Sequence, residues 1–216
     1  MMKQKSTSAA RIQENSRQRR EQEKREVRQT ILTTAGEMFL ESGYEGFSLR
    51  QIAERIGYSP GTIYLYFKDK DDVLFTVCKE GFIAFAQVLE NAKATTDDPL
   101  EQIRVMGREY VRFGLENPAY YQLMFMQRPE FMIRQETETG EPPVDAFMIL
   151  QRTVEEAMAA GSLQPGDAQV TSDVLWSALH GVVALGICMP IFDAERVEKT
   201  AAFTLTMLEQ YLAADS

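Results

Sequence analysis

Apolar residues recur at helical spacing along most of the chain, and glycines and prolines divide this pattern into segments. The first segment places apolar side chains four residues apart from Val27 to Phe39, and it ends at Gly43. This spacing predicts an amphipathic helix, and a glycine directly after it suits a left-handed C-terminal cap. Residues 1–26 are polar, and we interpret them as a flexible arm that becomes helical only toward its end.

Two short segments follow, and both carry clear start and stop signals. Ser48 and Gln51 have the spacing of a capping box, and Gly57 ends the segment, which predicts a short second helix. Ser59-Pro60 then starts a third helix at once, because serine is a good N-cap and proline fits the first helical turn. The chain thus predicts two helices joined by a tight turn.

The third segment, GTIYLYF at residues 61–67, has a composition that favours a strand rather than a helix. On a helix, Ile63 and Phe67 are i, i+4 partners and face inward. Thr62, Leu65 and Tyr66 then face outward, with Tyr64 beside them. We expect packing of the inward pair to hold this segment in a helical conformation that it would not adopt alone.

The rest of the chain has the same helical character. Asp69 is placed to cap a long helix that runs to about residue 92, and further caps stand at Asp98, Asn117, Asp167 and Asp193. We predict a loop at 136–143 and no strand, so the fold class is all-α. The further helices are predicted at about 99–115, 118–127, 144–160, 168–188 and 194–212.

Charge divides the chain unevenly, although its net charge is −9. Residues 1–70 carry a net charge of +4, and residues 71–216 carry −13. This asymmetry indicates a small basic domain that can approach phosphates and an acidic remainder that cannot. No apolar run approaches the length of a membrane span and no secretory signal is visible, so we expect a cytoplasmic protein with no membrane partner.

Candidate chemistry is sparse. A single histidine and two distant cysteines give no set of metal ligands, so we expect no metal and no cofactor. Cys78 and Cys188 are expected to be buried and reduced. No nucleophile and base stand at a readable spacing, which argues against an enzyme. A helix-turn-helix explains residues 48–67 better, because its second helix enters the DNA major groove. The simpler alternative is an αα-hairpin with exposed tyrosines.

Residues 30–77 resemble the DNA-binding domain of the TetR family of bacterial transcriptional regulators. The resemblance rests on A-x-x-x-F-x-x-x-G-Y from Ala35 to Tyr44 and on G-T-I-Y-x-Y-F-x-x-K from Gly61 to Lys70. It implies an N-terminal three-helix helix-turn-helix domain at 27–72, and a C-terminal helical ligand-binding and dimerisation domain at 73–216. The DNA contacts that the resemblance implies are Arg50, Ser59, Pro60, Gly61, Thr62, Tyr64, Leu65, Tyr66 and Lys70.

A weaker resemblance lies in the C-terminal part, where Trp176 to Gly181 forms a W-x-x-x-H-G pattern. Aromatic and methionine side chains at helical spacing suit a pocket for an apolar or aromatic ligand, although plain core packing explains them as well. Small residues in the last two helices suit a four-helix homodimer interface, as the family implies, or closure of the monomer's own core. The candidate ligand-binding residues are Tyr110, Phe113, Tyr121, Met124, Phe125, Phe147, Trp176 and His180.

Together these features predict a dimeric repressor that a small molecule releases from a palindromic operator. A ligand-independent or activating DNA-binding regulator is the alternative, and a helical enzyme is a remote one. The basic side chains of the arm either follow DNA phosphates or belong to a solvated tail. Those side chains are Lys3, Lys5, Arg11, Arg17, Arg19 and Arg20.

Overall fold

The computed structural model describes residues 3–127 and 146–212, with the side chains of 3–9, 209 and 211 left aside. This part of the chain contains helices and no strand, which confirms the all-α prediction. The predicted loop at 136–143 lies outside the described residues. The helices are α1 (Lys3–Ser42), α2 (Leu49–Ile56), α3 (Pro60–Ile63), α4 (Lys70–Lys93), α5 (Pro99–Glu116), α6 (Pro118–Phe125), α7 (Ala146–Ala159), α8 (Ala168–Cys188) and α9 (Ala194–Leu212).

Local signals set most of these boundaries. Gly43 and Gly57 follow α1 and α2 with φ of 69° and 74°, in the left-handed region where glycine has no steric penalty. The Ser48 hydroxyl accepts a hydrogen bond from the backbone N–H of Gln51 at 3.4 Å and donates one to the Gln51 side-chain oxygen at 3.0 Å. The Asp69 carboxylate accepts the backbone N–H of Asp72 at 2.8 Å. These are the caps that the sequence predicts.

Asn117 differs from its prediction as a side-chain cap of α6. Its side-chain amide donates to the Phe113 carbonyl at 3.0 Å, and it caps no N–H of α6. The preceding helix ends only one residue earlier, so its free carbonyls compete for the same side chain. Asn117 therefore closes α5, and Pro118 alone supplies the start signal of α6.

Helix α1 begins far earlier than predicted. It runs without a break from Lys3 through the segment that we expected to be a flexible arm. Residues 10–26 are exposed throughout, so no core holds them in a helix. Side-chain pairs three or four residues apart stabilise them instead, such as Arg19 with Glu23 at 3.0 Å and Gln22 with Glu26 at 2.8 Å. Over residues 3–26 the expected coil is corrected to a helix, and the flexibility of this arm stays a prediction.

The chain divides into two compact units, residues 1–77 and 78–216. The predicted domain boundary after residue 72 lies inside α4, which runs through this division. The first unit buries Ile31, Ile52, Ile63 and Leu74 completely. In the second unit, one core cluster joins α5, α7, α8 and α9 through Ile103, Val154, Ala157, Leu163, Leu175 and Leu208.

Two expectations need correction, one about the burial of a cysteine and one about the length of the longest apolar helix. Cys78 is buried, but Cys188 at the end of α8 is exposed, because the helix leaves the core before its last residue. Helix α8 is also long and apolar enough, by length and composition alone, to cross a membrane, which contradicts the expected absence of such a run. A core helix of a soluble protein passes the same test, so this single helix is weak evidence for a membrane.

Candidate DNA interface, ligand site and dimer face

The segment from Pro60 to Phe67 presents its side chains as the sequence predicts. Ile63 is fully buried and Phe67 nearly so, whereas Leu65 is 83% exposed and Tyr64 is 58% exposed. Regular helix covers only Pro60–Ile63, and the following residues form tight turns such as the bond from the Phe67 N–H to the Ile63 carbonyl at 3.1 Å. The β-branched and aromatic residues explain this short helix, because they have low helix propensity.

The corner before this segment is well ordered by hydrogen bonds. The Ser59 hydroxyl lies 2.9 Å from the Thr62 hydroxyl and accepts the Thr62 N–H at 3.2 Å. Gly61 is exposed, and a Cβ added to it would meet only the Ser59 hydroxyl, at 3.7 Å. This corner therefore leaves backbone and hydroxyl groups accessible next to Tyr64 and Leu65.

The other predicted DNA contacts share this accessibility to different degrees. Arg50 is exposed in the first turn of α2, and Pro60, Thr62 and Tyr66 are half-buried. Their roles in DNA binding stay predictions, because exposure alone does not identify a contact. Apart from the buried Ile63, the residues from Ser59 to Tyr66 are exposed or half-buried, and none of them carries a charge.

Lys70 lies differently from a free phosphate contact. Its ammonium group donates to the carbonyls of Tyr44 and Phe47 at 2.5 and 3.2 Å, and it lies 4.0 Å from the centre of the Tyr44 ring. Carbonyl dipoles and a ring face both stabilise a cation at this position. In this conformation Lys70 links the carbonyls between α1 and α2 and keeps one of its three N–H donors for a further acceptor.

The second unit contains a chain of four hydrogen-bonded aromatic side chains. The Trp176 N–H donates to the Tyr110 hydroxyl at 3.1 Å, the hydroxyls of Tyr110 and Tyr121 are 2.7 Å apart, and Tyr121 lies 2.7 Å from His180 Nδ1. These residues come from α5, α6 and α8. Tryptophan can only donate, so the Tyr110 hydroxyl accepts from it and keeps its own proton for another acceptor.

Burial explains the titration of this chain. It lowers the pKa of His180, which therefore stays neutral at pH 7. It raises the pKa of Tyr110 to about 12 and raises the pKa of Tyr121 further. In the neutral tautomer of His180 that carries its proton on Nε2, Nδ1 accepts from Tyr121, Tyr121 accepts from Tyr110, and Tyr110 accepts from Trp176. Every hydroxyl proton is then used once, and the chain is fully satisfied.

Seven of the eight candidate ligand residues, all except Met124, gather in one aromatic cluster. Phe125 lies at its centre, with ring centres 5.1 Å from Tyr121, 6.1 Å from Trp176 and 6.0 Å from His180. Phe147 packs on Trp176 at 5.8 Å, Phe113 belongs to the same cluster through Phe85, and Met124 packs against Gly81. Phe85 was not among the predicted ligand residues, although it contacts three of these rings. Its i, i+3 spacing with Phe82 was the sequence feature that could have indicated its place in the cluster.

These aromatic side chains contact one another more than they surround a space. A cavity of about 40 Å³ lies beside the cluster, and only Tyr110 and Trp176 of the eight candidates line it. Most residues that line the cavity were not predicted, because aliphatic residues at helical spacing cannot be distinguished from ordinary core residues in the sequence. The remaining lining residues are Leu89, Ile103, Met106, Gly107, Leu150, Leu175, Leu179 and Leu205.

Helices α8 and α9 also carry large apolar side chains that the described residues leave uncovered. Phe203 is 70% exposed, and Val170, Val174, Leu185 and Met207 are about half exposed. These positions follow helical spacing, so they form a continuous apolar face. Leu205 and Leu208 of α9 face the interior instead. A dimer interface on the last two helices stays a prediction, and Val174 and Leu185 are better placed for it than Leu205 and Leu208.

Comparison with known proteins places both units of the chain in families that have been described before. Residues 31–77 match the family described as "Bacterial regulatory proteins, tetR family", and residues 103–208 match the domain described as "Tetracyclin repressor-like, C-terminal domain". The chain belongs to the TetR family. These two matches cover the helix-turn-helix and most of the second unit, so the identification does not rest on the short motif alone.

Individual relatives agree with the TetR assignment. The "Fatty acid metabolism regulator protein" of Bacillus subtilis is 26% identical over 165 residues, which cover 74% of this chain and 84% of the relative. An HTH-type transcriptional regulator of Staphylococcus aureus is 31% identical over 98 residues, 45% of this chain and 53% of its own length. The solved structure of the fatty acid degradation regulator FadR from Bacillus halodurans has a TM-score of 0.71 at 19% identity, covering 84% and 93% of the two chains, which shows a shared fold.

Membership in the TetR family assigns the partners of this protein in general terms. TetR regulators bind operator DNA, dimerise and bind small-molecule effectors. This chain is accordingly a DNA-binding transcriptional regulator. Within the described part of the chain, candidate places for these partners are the exposed surface of α3, the apolar face of α8 and α9, and the cavity beside the aromatic cluster.

Proposed function

We propose that this TetR-family protein is a repressor that a small apolar molecule releases from a palindromic operator. The observation that carries the DNA-binding part is the division of one short segment into a buried pair, Ile63 and Phe67, and an exposed pair, Tyr64 and Leu65. The buried pair fixes the segment, while the exposed pair has no partner among the described residues that would explain an apolar surface there.

Two copies of the chain would use this surface together. The exposed apolar side chains of α8 and α9, with Phe203 the most exposed, favour pairing with the same face of a second copy. A two-fold dimer places two recognition helices about 34–36 Å apart, one turn of DNA, so the operator is palindromic. Operator DNA lies in the bacterial cytoplasm, which we propose as the location of the protein.

For the effector, we propose an aliphatic acyl compound as the first class to test. The cavity walls are mainly aliphatic, with five leucines, Ile103 and Met106, and the surface that lines the cavity is almost entirely apolar. The relative from Bacillus subtilis is named a fatty acid metabolism regulator, which supports the same class. Such a molecule releases DNA only if it binds the DNA-free conformation more tightly than the DNA-bound one.

A ligand-independent regulator, or an activator, is the second candidate. A drug-sized ligand occupies a pocket of about 300–1,000 Å³, far more than the cavity of about 40 Å³ found here. Binding of such a ligand in this cavity therefore requires its walls to move apart, whereas a C-terminal domain that serves only dimerisation needs no such movement. The curated relatives reported above are transcriptional regulators, which favours either kind of regulator over the remote alternative of an enzyme.

The DNA-binding part is tested by selecting sequences from a random DNA pool with the purified protein. We expect a palindromic consensus that Tyr64→Ala and Leu65→Ala variants bind at least tenfold more weakly. Leu40→Ala is the matched control, because Leu40 is an exposed apolar residue on α1 outside the recognition segment. Recovery of no consensus by a folded dimer, or an equal loss in the control, would contradict the proposal.

The effector part is tested by titrating the protein–operator complex with acyl compounds of increasing chain length. We expect release above a threshold length and weaker release from Gly107→Ala, because a Cβ there would lie 2.5 Å from Leu205 Cδ2 and narrow the cavity. Gly166→Ala is the control, since its added methyl reaches nothing closer than 4.0 Å. Operator binding that no acyl compound changes would favour the ligand-independent candidate.

A further inference from the structure

The N-terminal half of α1 is a charged helix with no core beneath it. Between residues 10 and 28 it carries seven basic and four acidic side chains, and residues 10–26 are exposed throughout. An isolated helix of this kind gains little from its surface pairs, so stabilisation alone is a weak reason for its length. The arrangement of its cations is more informative than their number.

Four of these cations lie along one side of the helix. Arg17, Arg20, Lys24 and Arg28 are separated by three, four and four residues, which keeps them on one face. The same spacing continues through Ile31 and on along the buried side of α1. The four residues, called the basic stripe below, therefore extend the side of α1 that packs into the first unit.

The partners of the basic stripe differ from those of the other cations. Arg19 binds Glu23 at 3.0 Å and Arg25 binds Gln22 at 2.7 Å, so these two lie in local pairs off the stripe. Within the described part of the chain, neither Arg17 nor Arg20 has a hydrogen bond or an ion pair. Lys24 has a long contact of 3.4 Å with Glu21, in which both side chains are more than half exposed.

The stripe begins next to the recognition segment. The Arg28 guanidinium lies 5.5 Å from the centre of the Phe67 ring, and Phe67 ends that segment. From Arg28 to Arg17 the helix rises about 16 Å, at about 1.5 Å per residue. Since each DNA strand carries a phosphate about every 3.4 Å along the axis, this length spans several phosphates.

We propose that the basic stripe is a second DNA-contacting surface, which binds phosphates beside the major-groove site that the recognition segment occupies. Arg17, Arg20 and Lys24 bind the flanking phosphates, and Arg28 connects them to the recognition segment. The stripe reads no bases, so it strengthens binding and lengthens the footprint without changing the consensus. Glu21 lies beside the stripe and pairs with Lys24, which weakens the attraction of Lys24 to phosphates. Arg17 and Arg20 are unaffected by this pair.

This inference rests on the proposed operator binding, and the salt dependence of that binding tests it. Each phosphate contact contributes about 0.9 to the slope of log K against log salt concentration. The triple variant Arg17→Gln, Arg20→Gln, Lys24→Gln should lower the slope by up to about 2.7 per protomer on an operator with ten extra base pairs at each end. On an operator trimmed to the selected consensus, the same variant should differ little from wild type.

The chain offers a control with the same change of charge. Arg11→Gln, Arg19→Gln, Arg25→Gln removes three cations from the other faces of the same helical segment, and glutamine keeps the helix propensity in both triple variants. We expect this control to retain most of the wild-type slope. Equal slopes for the two triple variants on the long operator, or no loss in the stripe variant, would overturn the inference and leave a solvated helix.

Failure of this inference is distinguishable from failure of the proposed function. If wild-type protein selects no consensus, the operator-binding proposal fails before the stripe is tested. If it selects one and the stripe variant binds the trimmed operator like wild type while losing slope on the long one, both proposals hold. Circular dichroism of each variant excludes loss of the α1 helix as the cause of a changed slope.

Discussion

Tyrosines occupy two contrasting positions in this protein. In the recognition segment, Tyr64 is 58% exposed and points away from the buried Ile63. In the second unit, Tyr110 and Tyr121 are buried and belong to a chain of hydrogen bonds that ends at His180. The same side chain thus forms an accessible polar surface in one region and a closed hydrogen-bond network in the other.

The contrast shows how neighbours assign a role to a side chain. Tyr64 follows the fully buried Ile63 on a short helix, so packing of Ile63 turns Tyr64 outward, where DNA can contact it. Tyr121 is held by hydrogen-bonding partners from α5 and α8, and a buried hydroxyl without partners would be costly. Substitutions in the first region should therefore change binding more than stability, and those in the second should change stability first.

The largest effect is expected at the buried side of the recognition segment. Ile63→Ala should lower the free energy of unfolding by about 2–5 kcal/mol, because it removes a fully buried aliphatic side chain. Leu65→Ala, two residues away and exposed, should stay within about 0.5 kcal/mol of wild type. Urea unfolding of both variants measures the difference. Similar losses in the two would mean that the segment does not divide as the structure shows.

A smaller loss is expected from breaking the hydrogen-bond chain. Tyr121→Phe should cost about 1–3 kcal/mol of unfolding free energy, since it removes the link between Tyr110 and His180. The value should fall near the lower limit, because the Tyr110 hydroxyl lies 3.4 Å from His180 Nδ1 and can donate to it instead. Tyr64→Phe should be neutral, and thermal unfolding of the two variants measures the difference. Equal stability of both variants would argue against the chain.

The chain should also make stability depend on pH. Burial lowers the pKa of His180 below its ordinary value of 6.5, so the unfolded chain takes up the proton first as pH falls. The contribution of His180 is therefore fully present above pH 6.5 and is lost as pH falls through 6.5 toward the lowered pKa.

Unfolding curves between pH 5 and 8 measure this loss, and His180→Gln should remove it. The comparison is clean because His180 is the only histidine of the chain. A melting temperature that falls equally in wild type and variant would assign the effect to other groups.

The smallest expected effect concerns thiol reactivity rather than stability. Burial raises the pKa of Cys78 to about 12, and its thiol donates to the Leu123 carbonyl at 3.7 Å. In a Cys188→Ser background, a thiol reagent at pH 8 should leave Cys78 unmodified until the protein is denatured, because the thiolate is the reactive form. Rapid reaction of the native protein would show that the start of the second unit opens readily.

Helix boundaries were the most predictable part of the fold. Ser48, Gly57, Ser59 and Asp69 act within a few residues of themselves, so their capping roles are readable from spacing alone. Asn117 was read incorrectly because two helix ends compete for one side chain. The extension of α1 was missed because surface pairs leave no apolar periodicity to detect.

The candidate sites were predictable to different depths. The outward face of the recognition segment follows from helical phase, and the family resemblance added the residues. The aromatic cluster was anticipated by composition, yet the directed chain from Trp176 to His180 joins residues up to 70 positions apart and depends on how α5, α6 and α8 meet. The cavity walls were missed because aliphatic core residues look alike in sequence.

By itself the sequence determined most of the helices and their caps, the separation of charge and the family of this regulator, because all of these depend on residues close together in the chain. The tertiary structure alone decided that Lys70 folds onto the Tyr44 and Phe47 carbonyls and that Leu205 lines a cavity. It also decided that Phe203 stays exposed. These outcomes depend on which helix faces meet in space, and helical periodicity identifies an apolar face without naming the surface that will cover it.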